Sequence, residues 1–400
     1  MNTRKMTIRD VDISHKRVIV RVDFNVPLGE KNRIVTDDSR IRAALPTIRY
    51  LIENEARVIL ISHLGRPKGK VVESLRLTVA AQKLSQLLGQ QVGVTTDCIG
   101  EEVERSVEKL KERDVLMLEN LRFYSDEELG NESFAKDLAR LGDVFVNDAF
   151  GTSHRAHASI SGIAKYIPAV AGFLLEKEID NLGDLLKDTE HPFCAVFGGA
   201  KVSDKVGILE NMMSKLDCVL IGGGMAATFL KAMGYQTGQS LIDDDGLDTV
   251  LDVTRDFENR GTQLLLPVDV KVADIVKKGA AVEVVDIDKI PSDKKIVDIG
   301  EKTIKAYQTK LENCKTAFWN GPMGIFEIPE FAGGTRGLAL TMSQISAKTI
   351  IGGGSTAEAV NEMGLSEKMT FVSTGGGASM SFLSGESLPG VIALLDYKGK

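Results

Sequence analysis

Short apolar runs rich in Val, Ile and Leu recur along this chain, each followed by a longer stretch whose apolar positions repeat at three and four. In the first half the runs are Val18–Val22, Val58–Ile61, Val115–Leu118 and Val144–Val146. In the second half they are Cys194–Phe197, Cys218–Ile221, Leu264–Leu266, Thr316–Trp319, Thr349–Ile351 and Thr370–Val372. The intervening spacing predicts helices over Asp38–Ala56, Leu77–Leu88, Val202–Leu216, Asp244–Glu258 and Thr356–Met363. Strands that are apolar almost throughout, alternating with helices, are the mark of parallel sheets covered on both faces. The fold class is therefore α/β, with two doubly wound, Rossmann-like parallel-sheet domains, since 400 residues exceed what one core supports.

The segment Leu175–Leu186 repeats its apolar positions with helical spacing where the composition changes, so it reads as a helix joining the domains. The expected organisation is a first domain over 1–172, an interdomain helix over 173–188, a second domain over 189–387 and a tail over 388–400. The tail is apolar enough to pack, but the sequence does not say against which domain.

Charge separates the halves. Sixteen of the nineteen arginines precede residue 173, and the net charge is +2 up to residue 172 and −9 beyond it. All three Gly-Gly-Gly triplets, at 222–224, 352–354 and 375–377, lie in the second half. Arginine offers a planar fork of donors suited to carboxylate or phosphate, and glycines at helix starts present bare N–H groups to phosphates. One half thus suits a small anion and the other a nucleotide. A chain this acidic lacks the broad positive field that nucleic acid or a membrane surface demands. The four cysteines lie far apart in sequence without a CxxC pair, which argues against disulfide or zinc scaffolding. No signal-like apolar segment opens the chain and no run approaches the roughly 20 residues that cross a bilayer, so a cytoplasmic protein is expected.

The chemistry gathers after the apolar runs, where open α/β sheets bind their ligands. In the first half Arg21, Arg40, Arg66, Arg122 and Arg155 lie at or near such strand ends, with His63 and His154 beside them. Converging guanidiniums repel one another unless a polyanion neutralises them. His154 and His157 have the spacing of a metal pair but lack a third ligand in the motif. In the second half Phe197–Lys205 ends a strand and is expected to open a helix, with Gly198 and Gly199 letting backbone approach a phosphate and Lys201 and Lys205 on one helical face. Asn320–Gly324 is a tight turn followed by Glu327, a carboxylate that can meet a ribose or a metal. The chain contains no P-loop string. GGGMAA at 222 and GGGSTA at 352 fit a dinucleotide fingerprint, yet neither is followed about twenty positions on by an acidic residue ending a second strand, which NAD recognition uses; Asp243–Asp245 falls near that distance from the first but in a polar turn.

The motifs RVDFNVP (21–27), SHLGRP (62–67), LENLRF (118–123), DAFGTSHRAH (148–157), FGGAKVSDK (197–205), NGPMGIFE (320–327) and STGGGAS (373–379) resemble, in order, those of the phosphoglycerate kinase family. The resemblance implies two α/β domains facing each other across a hinged cleft, and reversible phosphoryl transfer from ATP to 3-phosphoglycerate, giving ADP and 1,3-bisphosphoglycerate. It implies that Arg21, Asp23, Asn25, Arg40, His63, Arg66, Arg122 and Arg155 hold the phosphoglycerate. It assigns the nucleotide to Gly199, Ala200, Lys201, Lys205, Asn320, Pro322, Gly324, Glu327 and the loop Gly352, Gly353, Gly354, Ser355 and Thr356. Arg40, Lys205, Gly353 and Gly376 are the implied catalytic positions, with Mg²⁺ arriving as Mg·ATP or Mg·ADP and a monomer as the working form. The acceptor carboxylate, with a pKa of about 3.5, is already ionised and needs no general base.

The chain departs from the family pattern at Ser355, where an aspartate usual in the family would stand near the metal. It also has Phe371 where histidine is common and Ser381 where glutamate often follows. Ser355 is thus the metal-ligand candidate, a hydroxyl without the carboxylate's charge. Two other readings compete: an NAD-dependent oxidoreductase, from the glycine fingerprints, and a non-catalytic metabolite-binding relative, from Ser355.

Overall fold

The computed structural model describes residues 4–29, 34–187 and 189–398. Asp188, at the end of the expected interdomain helix, and the tail residues Gly399 and Lys400 lie outside them. The chain divides into two compact units: one runs to Asp180 and takes in the chain again from Ser387 onward, and the other is Asn181–Glu386. The division falls inside the helix Phe173–Leu185, and the tail groups with the first unit.

The first unit holds six parallel strands, β1 (Arg17–Arg21), β2 (Arg57–Ile61), β3 (Val92–Val94), β4 (Val115–Met117), β5 (Val144–Asn147) and β6 (Ala169–Ala171), in the order β3-β4-β2-β1-β5-β6. In β1 and β2 every residue after the first arginine is buried, as both-face coverage requires. The helix Ser39–Glu53 buries Ile41, Ala44, Ile48 and Leu51 on one stripe despite Pro46 inside it. A mid-helix proline costs about 3 kcal/mol, so the packed stripe overrides local propensity here.

The second unit carries β7 (Phe193–Phe197), β8 (Cys218–Ile221), β9 (Gln263–Leu265), a separate antiparallel trio β10 (Asp269–Ala273), β11 (Glu283–Asp286) and β12 (Lys295–Ile299), then β13 (Thr316–Asn320), β14 (Lys348–Gly352) and β15 (Phe371–Val372). Its parallel sheet runs β15-β14-β13-β7-β8-β9. The chain winds outward from β7 to one side and then from β13 to the other, so the winding reverses between β7 and β13, the usual crevice for a ligand. Tyr307 is buried and its hydroxyl donates to the carbonyls of Ile221 (2.7 Å) and Leu265 (3.0 Å), pinning the ends of β8 and β9. Trp319 is fully buried in β13, and its indole N–H donates to the Gly321 carbonyl at 2.7 Å, shaping the turn that follows.

Every apolar run read as a strand forms one, and the antiparallel trio, β3 and β6 are additional. Cysteines distant in sequence meet in the second unit: Cys194 and Cys218 are register partners on β7 and β8, and both belong with Cys314 to one buried apolar cluster. All four cysteines are free and buried. Among the described residues no helix is long and apolar enough to cross a membrane.

Candidate active site

In the first unit the predicted anion-binding residues collect at the carboxyl edge of the sheet. Arg21 ends β1 and is buried to 1% exposure; its Nε donates to Ser159 Oγ (3.0 Å), and its Nη2 lies 3.1 Å from His63 Nδ1. Asp23 pairs with Arg40, which starts the helix Ser39–Glu53, and its Oδ1 accepts the Asn25 N–H at 3.3 Å. Burial pushes the Asp23 carboxyl up, but Arg40, His63 and Arg21 outweigh it and hold the group below its ordinary pKa. Asn25 Oδ1 accepts the Gly65 N–H (2.9 Å), and Arg122 Nη1 donates to the Gly65 carbonyl (2.9 Å), so two predicted residues clamp one turn after β2.

Burial, then Arg21, drives the His63 pKa well down, with Arg122 and Arg40 adding to it. Burial likewise depresses His157 to about 4, with Arg122, Arg21, Arg155 and His154 contributing. Both imidazoles are therefore neutral at pH 7, and the guanidiniums are close enough to be felt by them. Arg66 and Arg155 are exposed and make no side-chain hydrogen bond or ion pair among the described residues. A gathered set of guanidiniums with two uncommitted members has the charge and the open donors that a polyanion would pair with.

Residues the sequence reading did not single out hold this set in place. Glu127 is fully buried and accepts from the Ser159 N–H (2.9 Å) and hydroxyl (2.6 Å), which in turn supports Arg21. Burial raises its pKa, against the pull of Arg21. Asn120 spans three loops: its Nδ2 donates to the carbonyls of Leu64 (2.7 Å) and Leu75 (2.9 Å), and its Oδ1 accepts from the N–H groups of Leu64 and Arg122. The LENLRF motif contained Asn120, but nothing local in the sequence signals Glu127 or Ser159, which come together 32 residues apart.

In the second unit Gly198 and Gly199 follow β7, and Asn320 ends the neighbouring β13. The helix expected from Val202 begins only at Val206; Lys205 is its N-cap, and Lys201 lies in the preceding loop. The two lysines therefore do not share a helical face: Lys201 is exposed, whereas Lys205 is 7% exposed. Lys205 Nζ donates to Asn320 Oδ1 at 2.5 Å and, among the described residues, has no carboxylate within ion-pairing distance. Burial lowers its pKa to about 8. Asn320 Nδ2 is buried and unpartnered, 3.1 Å from where a Cβ on Gly353 would stand. Burying a cation beside an orphaned donor is costly unless an anion completes the site.

The three glycine triplets differ. Gly222–Gly224 is packed shut: the N–H groups of Gly222 and Gly223 bond to Phe197 and Met323 carbonyls, and a Cβ on Gly223 would stand 2.6 Å from Gly199 N. That triplet joins backbone to backbone, and two of its N–H groups are spent, which removes the phosphate-presenting role expected of it and the NAD fingerprint it suggested. Gly354 and Gly376 instead have nothing within 4 Å of a built Cβ, and Gly353 (φ +83°) caps the helix Gly354–Glu362. Thr356 is buried and its Oγ accepts the Gly321 N–H (2.6 Å), tying the β14 loop to the β13 turn; Ser355, Ala200 and Glu327 are exposed and Pro322 half-buried. Gly324 sits where a Cβ would meet the Phe331 carbonyl and Asp298, so its role is close packing.

Among the described residues the one group of three potential metal ligands is His15, Glu55 and Glu112; the His154–His157 pair gains no third ligand.

The sequence profile described as phosphoglycerate kinase matches residues 8–386. Proteins named phosphoglycerate kinase from Dictyoglomus turgidum and Moorella thermoacetica are 53% and 52% identical over 392 residues, covering 98% of this chain and 98% and 99% of theirs. The solved structure of phosphoglycerate kinase from Coxiella burnetii superposes with a TM-score of 0.87 at 40% identity, covering 98% of both chains. That from Pyrococcus horikoshii gives 0.84 at 34% identity over 97% of this chain and 98% of its own. Identity at this level along the full length, on the same two-sheet fold, places the chain in the phosphoglycerate kinase family as a phosphotransferase.

Proposed function

We propose that this chain transfers the γ-phosphoryl group of ATP reversibly to the carboxylate of 3-phosphoglycerate, with the first unit holding the acid and the second the nucleotide. The observation that carries the assignment is Lys205: a buried ammonium that, among the described residues, has only an amide for a partner, beside the orphaned Asn320 donor and the glycine loops before two helices. Such a place lacks only a polyphosphate.

In this reading Arg21, Arg66, Arg122 and Arg155, with His63, Asn25 and Asp23, bind the phosphate and carboxylate of the acid. Arg40 stands with its guanidinium toward the reacting carboxylate. Asp23 holds Arg40 ready without abolishing its charge, since a guanidinium cannot be deprotonated near neutrality. Lys201, Glu327, Gly199, Ala200 and Pro322 border the nucleotide; Lys205, Asn320 and the N–H groups of Gly353–Thr356 and Gly376 receive its phosphates. The transferring group carries its charge on peripheral oxygens, so the residues' task is alignment and neutralisation.

Mg²⁺ fits here as an ion brought in on the nucleotide. Ser355 offers one exposed hydroxyl at the start of the helix Gly354–Glu362, and no cluster of three protein ligands lies there among the described residues. Bound to the phosphates, the ion would supply charge neutralisation, with Ser355 as its protein contact. The working form is proposed to be a cytoplasmic monomer. The test is a coupled assay with ATP and 3-phosphoglycerate, with and without magnesium. Turnover that needs both substrates is expected; none at saturating Mg²⁺ would favour the metabolite-binding reading.

A further inference from the structure

A guanidinium only donates, so each bond it makes fixes the polarity of the group it meets. Arg21 Nη1 donates to the Val22 carbonyl, Nε to Ser159 Oγ (3.0 Å) and Nη2 to His63 Nδ1 (3.1 Å). His63 Nδ1 must therefore offer a lone pair. Burial and the Arg21 charge keep the ring neutral, so its one hydrogen is on Nε2. Asp23 Oδ1 lies 4.0 Å from the same Nδ1, beyond hydrogen-bond reach, and a hydrogen placed there would point at Arg21 Nη2. His63 is only 3% exposed; its Nε2 has no hydrogen-bond partner among the described residues, yet it is not sealed from water. That nitrogen is the atom the ring turns to a ligand.

The other side of Arg21 is anchored by a pair with no direct part in the proposed transfer. Ser159 Oγ accepts from Arg21, so its own hydrogen goes to Glu127 Oε1 at 2.6 Å, and Glu127 Oε2 accepts the Ser159 N–H at 2.9 Å. Both carboxyl oxygens accept, as those of an ionised group do. Ser159 stands in a single π-turn, Ala158–Gly162, where the His157 carbonyl takes the N–H groups of Ile160 and Ser161, both at 3.1 Å. The Ser159 N–H lies in the first turn and has no helical partner, so a carboxylate from elsewhere in the chain satisfies it. Burial pushes the Arg21 pKa down, and Glu127 is foremost among the carboxylates that oppose it. Glu127 and Ser159 are themselves fully buried, so neither can meet a ligand from solution. Charges taken out of water persist only in a fixed, fully bonded arrangement, which makes Glu127, Ser159, Arg21 and His63 one rigid line.

We infer that Glu127 and Ser159 are positioning residues that act through Arg21 to hold His63 as a hydrogen-bond donor, from Nε2, to an anionic oxygen of the acid bound by the first unit. With the other tautomer Nε2 would face that oxygen with a lone pair and repel it. A buried carboxylate thus strengthens the binding of an anion, by fixing where one proton sits. The inference rests on the phosphoryl-transfer reading for the identity of the acid, and the two fail separately. A wild-type chain that neither binds nor turns over 3-phosphoglycerate sinks that reading, whereas the place of the proton is judged on the ligand-free protein.

The chain has five histidines, so labelling them with ¹⁵N gives five imidazole signal sets, and His63→Gln identifies the one sought. In ligand-free wild type at neutral pH, long-range ¹⁵N–¹H correlation spectra should show His63 with a bare Nδ1 and a protonated Nε2. Ser159→Ala, which removes the link, and Glu127→Gln, which turns one accepting oxygen into a donor, should each give a mixture of tautomers. In both variants calorimetry and steady-state kinetics should show the dissociation constant and KM for 3-phosphoglycerate raised about tenfold, with kcat and the ADP dissociation constant within about twofold of wild type. If Glu127→Gln does not fold, Ser159→Ala carries the same reading. A hydrogen on His63 Nδ1 in wild type would overturn the inference. So would variants with an unchanged His63 spectrum, whatever their affinity or Tm, because a merely structural pair lowers stability without moving that proton. A mixture of tautomers with wild-type affinity would overturn it as well, since the proton's place would then not matter to the ligand.

Discussion

The two proposed sites would meet the same demand, holding a multiply charged anion, by opposite means. The first unit uses full charges in quantity and restrains them with its own groups: Asp23 on Arg40, the Gly65 carbonyl on Arg122, Ser159 and Glu127 under Arg21. The second uses backbone, two open glycine loops and one buried lysine balanced by an amide. The difference teaches where each site is vulnerable. Removing one guanidinium from a group leaves neighbours to share the load. Adding one atom to a glycine seam leaves nothing to yield.

The sharpest break of that comparison is Arg40→Ala, the member of the first set proposed to face the reacting group. Steady-state kinetics should show kcat lowered by about 10³ with KM little changed. Next comes Gly223→Ala in the closed triplet: a Cβ 2.6 Å from Gly199 N and 2.7 Å from the Pro322 carbonyl, at φ +62°, meets backbone on every side. Thermal unfolding should show a loss of about 3 kcal/mol, and an unshifted midpoint would mean the seam is soft. Arg66→Ala should raise KM for 3-phosphoglycerate about tenfold and leave kcat and ADP binding near wild type. A loss confined to kcat would exchange its role with that of Arg40.

The next contrast is in pH response. The Lys205 ammonium, lowered to about 8 by burial, is charged at pH 7 and mostly neutral at pH 9. ADP affinity should therefore fall about fivefold to tenfold across that interval, and the fall should vanish in Lys205→Met. The arginines of the other site do not titrate there, so 3-phosphoglycerate affinity should stay flat. The smallest effect expected is from Ser355→Asp, which should lower the Mg²⁺ concentration for half-maximal rate by a few-fold, read from a magnesium titration.

Much of this was legible because parallel strands buried on both faces are written as unbroken apolar runs, and the chemistry sits directly after them. What escaped has physical reasons. The strands β3 and β6 have three residues each, with Gly93 in the first and alanines in the second, too little apolar mass to register. Strand β11 is largely exposed, so it reads as polar loop. Lys201 and Lys205 have helical spacing, but the chain enters that helix late, and the spacing described a turn. The three glycine triplets look alike as text; only tertiary packing shows that one closes a seam while two remain open. Glu127 and Ser159 were invisible because their value lies in each other, across a separation no local pattern encodes.

The buried cysteines have a practical use. Cys98 lies in the first unit and Cys194, Cys218 and Cys314 in the second, none of them exposed. A thiol sealed in a core reacts only when its surroundings open. Alkylation followed by mass spectrometry would thus time the opening of each half of the molecule separately, with no label to engineer, and ADP should slow the trio while leaving Cys98 to respond to the acid.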